Sequence, residues 1–222
     1  MGQLEQFDQI ILADKPAGIS SFGVVARVRR QLSEQAGRKI KVGHTGTLDP
    51  FATGLMILLS GTFTRRAGEF SKLDKVYEAT IRLGATSSTG DPEGEITEQL
   101  VQDIPSEQQV RQTIKTFLGK ITQTPPVFSA IKINGQRAYK LARAGQAVEM
   151  PSREVEIYSI ELLSYEYPHI KIRAHVSSGT YIRTLAQDIG DLLGTGAYVT
   201  KLRRTKVGSY DIDNIETIKI IK

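Results

Sequence analysis

The sequence predicts an α+β fold, a mainly antiparallel mixed β-sheet core flanked by helices, and three observations predict it. Tyr77, Ala79, Ile81 and Leu83 alternate with Glu78, Thr80 and Arg82, the period of a half-buried strand. Val24, Val25, Val28 and Leu32 recur at helical spacing. The two kinds of segment do not alternate as regular βαβ units, so a parallel sheet is not expected.

In chain order, Ile10-Ile11-Leu12 reads as a short strand ended by the turn residues of DKPAG. Ser20 or Ser21 is an N-cap for the helix carrying Val24. A loop follows over VGHTGTLDPFATGL, and Gly54-Leu-Met-Ile-Leu-Leu continues it into a buried element. After the strand of Tyr77, the polar turn TSSTGDPEGE closes a hairpin with a short strand around Ile96. SEQQVRQTIKTFLG is an amphipathic helix capped by Ser106, with Val110, Ile114, Phe117 and Leu118 facing inward. TQTPPVFSAIKINGQRAY is an extended segment with a tight turn at Asn134-Gly135, and RAYKLARAG a short basic helix stopped by Gly145. Ile170, Ile172, Ala174 and Val176 mark another strand, with His169, Lys171, Arg173 and His175 between them. A helix follows Gly179, built on Ile182, Leu185, Ala186, Ile189 and Leu193.

The chain's 222 residues suffice for one large domain or two small ones, and no repeat or linker divides them. Apolar content of 40% and charged content of 24% are those of a soluble globular protein. The absence of cysteine excludes disulfides and thiolate metal sites and fits a reducing cytoplasm. The N-terminus shows neither a basic leader nor a long apolar run, and Gln6 breaks the myristoylation pattern that Gly2 suggests. No segment approaches the roughly 20 apolar residues needed to span a bilayer. A cytoplasmic location is the expectation.

The net charge of +5 is mild, but its distribution is uneven. Lys132, Arg137, Lys140, Arg143 and Arg153 stand against only Glu149 between residues 123 and 153. Lys201, Arg203, Arg204 and Lys206 crowd six positions, and Arg27 to Lys41 holds six basic residues against Glu34. Clusters of this kind are either the footprint of a polyanion or solvated faces scattered round the surface.

Familiar chemistries find little support. His169 and His175 share a strand face but are separated by about 20 Å of extended chain, too far to hold one metal. A phosphate-binding P-loop needs Lys-Ser/Thr after its second glycine, which GHTGTLDP lacks. Asp49 remains. Pro50 biases it away from the α region, and Gly43, Gly46 and Gly54 allow close backbone approach to a ligand. Local composition leaves two readings open, a carboxylate aimed into a cleft or an Asx turn closing its own loop.

The whole stretch carries more. GHTGTLDPFATGL closely resembles the signature GHTGxLDPxATGL of the TruB-type tRNA pseudouridine-55 synthases, matching every specified position. Other blocks resemble the family's in order: DKPAGISS; DKVYEATIRLG; TPPVFSAIKINGQRAYKLARAG, similar to an RNA-gripping insertion; SSGTYIRTLAQDIG; and AYVTKLRRTKVG. The likeness runs from about residue 8 to 210. It implies the pseudouridine synthase fold and an active site of Asp49 as catalytic carboxylate, Tyr77, Arg183 and Leu202. Bacterial members usually continue into a C-terminal RNA-binding PUA domain, whereas after residue 210 this sequence has room only for the strand-like IETIKIIK. The expectation is therefore a single catalytic domain over residues 1–222, with an insertion at about 123–153 and no PUA domain.

The implied reaction is isomerisation of uridine 55 in the tRNA T-loop. The base is extruded, its glycosidic bond cleaved, and the ribose rejoined through carbon 5. It involves no redox change, so no cofactor or metal is expected. Arg183 is the implied guanidinium that keeps Asp49 ionised. Tyr77 is either a core tyrosine or a ring stacked on the flipped uracil. His44 is expected to occupy or prop open the site of the extruded base. Lys15 supports the loop, meets a phosphate, or is merely exposed. Lys132, Arg137, Lys140, Arg143, Arg203 and Arg204 are expected to contact RNA, with the insertion as a movable clasp reading shape. A monomer acting on tRNA without an obligatory protein partner is expected. The rivals are an RNA-binding protein without chemistry and a synthase working in a guide-RNA complex.

Overall fold

The computed structural model describes residues 5–133, 135–214 and 218–219. After a short 3₁₀ turn at Glu5–Phe7 come β1 (Ile10–Lys15), α1 (Ser21–Ala36), β2 (Val42–His44) and β3 (Thr53–Ser60). A 3₁₀ turn at Gly61–Arg66 leads to α2 (Ala67–Ser71) and β4 (Lys75–Leu83). The hairpin of β5 (Ala85–Ser87) and β6 (Ile96–Glu98) precedes α3 (Glu107–Lys115) and β7 (Gly119–Gln123). β8 (Lys132–Ile133), β9 (Gln136–Arg137) and α4 (Ala138–Arg143) lie in the basic insertion. Then come β10 (Arg153–Glu166), β11 (His169–Val176) and α5 (Ile182–Leu192). β12 (Ala197–Val207), β13 (Tyr210–Asp211) and β14 (Ile218–Lys219) end the series. The chain forms two compact units, residues 1–77 with 203–222 and residues 78–202, and crosses between them within β4 and within β12.

In the first unit the strand order is β14-β1-β3-β12, with β2 beside β3 and β13 beside β12. The run TGLMILLS is apolar at nearly every position, as a strand buried on both faces requires, and all of β3 after Thr53 is buried. It pairs antiparallel with β1 from Ile10↔Leu59 to Lys15↔Gly54 and parallel with β12 at Arg204↔Gly54. Leu55, Ile57 and Leu59 pack with Phe70, Val207 and Ile212, each worth about 1.5–3 kcal/mol on full burial. Gly54 sits at φ +108, and a Cβ there would lie 2.2 Å from the Arg204 carbonyl oxygen. Only glycine lets the two strands approach so closely.

Ser20 caps α1 by accepting from Gly23 N at 3.0 Å, and Val24, Val25, Val28 and Leu32 are buried as their spacing predicts. One expectation changes in this region. Val42–His44, read as part of a loop, is a strand, with His44 opposite Leu58 of β3. Its three residues are too few for a period to declare itself.

In the second unit the order is β12-β4-β11-β10-β7. β4 buries every second residue, and β10 and β11 form a long antiparallel hairpin whose register shifts twice. Ser106 and Gln109 make a capping box at α3, which buries Val110 and Ile114. Phe117 is buried as expected, but Leu118 is 47% exposed. α3 ends at Lys115, so the helical period no longer assigns Leu118 a face. His169 is exposed, whereas His175 is half-buried with its ring 4.9 Å from that of Tyr158. The hairpin of β8 and β9 pairs Ile133 with Gln136, and Gly135 takes φ +84. Asn134, the other half of the expected tight turn, lies outside the described residues.

The candidate active site

Asp49 lies in a loop between β2 and β3 whose backbone is fixed from three directions within the first unit. Ser21, buried at the start of α1, donates its hydroxyl to Leu48 O and accepts from Leu48 N, both at 2.8 Å. Lys15, fully buried at the end of β1, donates its ammonium to Pro50 O at 3.0 Å and Ala52 O at 2.5 Å, and also to Pro16 O. Gly18 N donates to the same Pro50 carbonyl at 2.8 Å, and Ala52 N closes a turn onto Asp49 O at 3.1 Å. On the third side, Arg204 sends Nε to Leu55 O at 2.8 Å, Nη2 to Gly46 O at 3.2 Å and Nη1 to Thr47 O at 3.4 Å. Cationic donors on neutral carbonyls are stronger than amide donors, so each bond stiffens the loop more than a backbone pair would.

Two expectations are corrected here. Lys15 is not an exposed lysine, and its buried ammonium is directed at loop carbonyls rather than presented to a phosphate. Arg204 is 2% exposed and points into the fold, so it is not part of an RNA-facing patch. The cluster read from residues 201 to 206 is dispersed further by ion pairs. Arg203 forms a fork with Asp14 at 3.1 and 2.9 Å, and Lys206 meets Asp211 at 2.6 Å. Lys75, also buried in this unit, has its ammonium pushed down to about 8, by burial first and by the Arg204 charge second. Tyr77 is buried on the apolar face of β4, and His44 is half-buried.

The second unit holds Arg183, Leu202 and the insertion. Arg183 is the second residue of α5 and is buried. Its Nη1 donates to Asp91 Oδ2 at 3.1 Å and Thr89 O at 2.8 Å, and Nη2 donates to Phe128 O at 2.8 Å. Asp91 is equally buried. Its Oδ1 accepts from Thr89 Oγ1 at 2.6 Å and Glu93 N at 3.0 Å. Leu202 is buried on β12. Lys132, Arg137, Lys140 and Arg143 are all exposed, with Arg143 stacked 5.9 Å from the Tyr139 ring centroid.

Sequence reasoning missed Ser21 as a loop anchor and Asp91 as the partner of Arg183. Ser21 sits beside Ser20, whose capping role absorbed the signal. Asp91 lies in TSSTGDPEGE, where an aspartate before proline reads as turn chemistry.

Residues 29–182 match the model of the TruB family pseudouridylate synthase N-terminal domain. Residues 183–222 match that of the tRNA pseudouridylate synthase B C-terminal domain. A protein of Phocaeicola vulgatus named tRNA pseudouridine synthase B is 44% identical over 95% of this chain and 90% of its own. One of that name from Flavobacterium johnsoniae is 42% identical over 96% and 94%. Among solved structures, a chain of a Cbf5-Nop10-Gar1 complex aligns with TM-score 0.71 and 31% identity over 98% of this chain. An archaeal box H/ACA sRNP Nop10-Cbf5 complex gives 0.69 and 28% over 99%. This chain spans about half the length of those two solved chains, 53% and 54%. The fold is thus that of these solved pseudouridine synthase chains. The chain belongs to the TruB family of pseudouridylate synthases.

Proposed function

We propose that the chain converts uridine 55 of the tRNA T-loop to pseudouridine, with Asp49 as the catalytic carboxylate. Pseudouridine formation in tRNA is the activity named for its relatives. The observation that carries the reading further is the cradle of Ser21, Lys15 and Arg204. It fixes the backbone on both sides of Asp49 while leaving that residue at intermediate exposure. Rigid placement of one carboxylate is what an isomerisation with no diffusing reagent demands, because the reacting carbon has to meet it at about 3–3.5 Å.

The chemistry balances without a co-reactant. The bond from ribose C1′ to uracil N1 breaks, a bond from C1′ to C5 forms, and the C5 proton is lost as N1 gains one. Asp49 serves either as the nucleophile, on sugar or base, or as the stabiliser of a separated intermediate. The target base has to leave its stack first, at a cost of a few kcal/mol that phosphate contacts offset. Lys132, Arg137, Lys140 and Arg143 are the residues proposed to supply those contacts. Tyr77, His44, Arg183 and Leu202 carry over as active-site residues from the family blocks they occupy, with Arg203 as a further RNA contact.

The chain is proposed to act alone, as a monomer. A second reading has one observation in its favour, since the aligned solved structures are complexes with further proteins. A single experiment separates the two. The purified chain is incubated with an unmodified tRNA transcript, and the product is mapped by carbodiimide modification and primer extension. One stop at position 55 supports the reading. A stop elsewhere corrects the position, and none without added protein favours the second reading.

A further inference from the structure

Gln123 and Arg153 together grip the turn that launches α5, and we propose that they are positioning residues for Arg183. The inference rests on the reading of Arg183 given above. Gln123 ends β7 and Arg153 begins β10, and the two stand directly opposite in antiparallel register.

Gln123 is almost fully buried and spends its side-chain amide on the backbone of one residue. Its Oε1 accepts from Tyr181 N at 3.0 Å, and its Nε2 donates to Tyr181 O at 3.2 Å. That is the pair a neighbouring strand residue would make, supplied here by a side chain. Tyr181 precedes the first residue of α5 and caps it with no side-chain bond, while its carbonyl accepts the first helical bond from Leu185 N at 3.1 Å. The amide therefore pins the place where the helix starts. The primary amide puts an acceptor oxygen and a donor nitrogen on one planar group, matched to the N–H and C=O of a single residue. Glutamate would only accept, and methionine would do neither to any useful degree.

Arg153 holds the same turn from the side. Its guanidinium carbon lies 4.8 Å from the centroid of the Tyr181 ring, and Nη2 donates to Gly179 O. Gly179 takes φ +86, and a Cβ on it would come within 3.3–3.4 Å of the guanidinium. The turn is thus fitted to arginine. Arg153 Nε is buried without a hydrogen-bond partner in the described structure. A native fold tolerates such a donor where the rest of the group is needed in place.

Arg183 stands two residues beyond Tyr181, on the first turn of α5. It reaches Thr89 O and Asp91 Oδ2 in one turn and Phe128 O in a second segment. A guanidinium aimed at several fixed acceptors depends on the register and entry angle of its helix. Displacement of a reacting group by about 1 Å costs on the order of 10² in rate. Gln123 and Arg153 act on that entry through the backbone and ring of Tyr181 and the carbonyl of Gly179.

The test uses Gln123→Met and Arg153→Lys, each in the parent and in an Arg183→Lys background. Tritium release from tRNA labelled at uracil C5 is read under single-turnover conditions. Filter binding to tRNA, the unfolding midpoint and amide exchange over residues 182–186 are read alongside. Each change is expected to slow release by about 10–100-fold in the parent while tRNA affinity stays within about twofold. In the Arg183→Lys background the same changes are expected to cost less than about threefold, because the group they position is already gone. Effects that multiply across the two backgrounds overturn the proposal, as does an unchanged rate in both single variants. Arg153→Lys, on a partly exposed residue, keeps the test open if Gln123→Met does not fold. A parent that releases no tritium refutes the proposed function. The grip is then decided by exchange over 182–186, expected to quicken at least about tenfold in Gln123→Met, and an unchanged rate overturns it.

Discussion

Lys15 and Pro50 are joined across 35 positions of chain, the ammonium of one donating to the carbonyl of the other at 3.0 Å directly behind Asp49. Lys15 also serves Ala52 O and Pro16 O, so removing it takes the ammonium from these two carbonyls while Pro50 O keeps Gly18 N. Lys15→Met should lower unfolding stability by about 2–4 kcal/mol, since each stranded buried group costs about 1–3 kcal/mol and the loop relaxes in part. Urea titration reads the stability. Tritium release in the fraction still folded should fall as well, because the loop backbone is no longer fixed.

Asp91 and Arg183 form an ion pair with both side chains buried. Truncating one partner of such a pair leaves an uncompensated charge, typically at 3–5 kcal/mol. Asp91→Ala should therefore lose about that much stability and nearly all activity. Asp91→Asn keeps the shape and an acceptor, so it should fold better and yet remain slow. Calorimetry and single-turnover release on the two variants check the contrast. Equal activity in Asp91→Asn and the parent would remove the carboxylate's charge from the account.

Asp188 gives a stability that depends on pH. Its carboxyl is pushed from the ordinary 3.8 up to about 6, by burial first and the nearby Asp191 charge second. The folded chain holds this proton more tightly than the unfolded one. The contribution is therefore fully present below about 4 and is lost as pH rises through about 6. Because the carboxyl is only half-buried and solvent screens much of the effect, Asp188→Asn should stabilise the protein by no more than about 1 kcal/mol at pH 7.5 and by almost nothing at pH 4. Denaturant midpoints at the two pH values measure it.

Much of the fold was legible because it rests on periods. The alternation of β4 and the spacings of α1, α3 and α5 name their buried faces without knowledge of any partner. Arg204 and Lys15 were not legible. A charged side chain is normally solvated, and these two are buried only because carbonyls from the loop of Asp49 converge on them from far along the chain. Asp49 itself reads locally as a turn residue, and only the thirteen-residue block around it suggests chemistry. Gly54 shows the same limit. Its need for φ +108 arises from the backbone of β12, about 150 positions away, and no local pattern announces that approach.

If a rigidly held Asp49 performs the isomerisation, Asp49→Asn should abolish it. The variant keeps the volume and backbone of the loop while removing the charge. Parent and variant are compared on tRNA tritiated at uracil C5, at one salt concentration, with binding measured in parallel. Release by the parent is expected, with a fall of about 10³-fold or more in the variant and tRNA still bound. Release by Asp49→Asn within about tenfold of the parent would contradict that role.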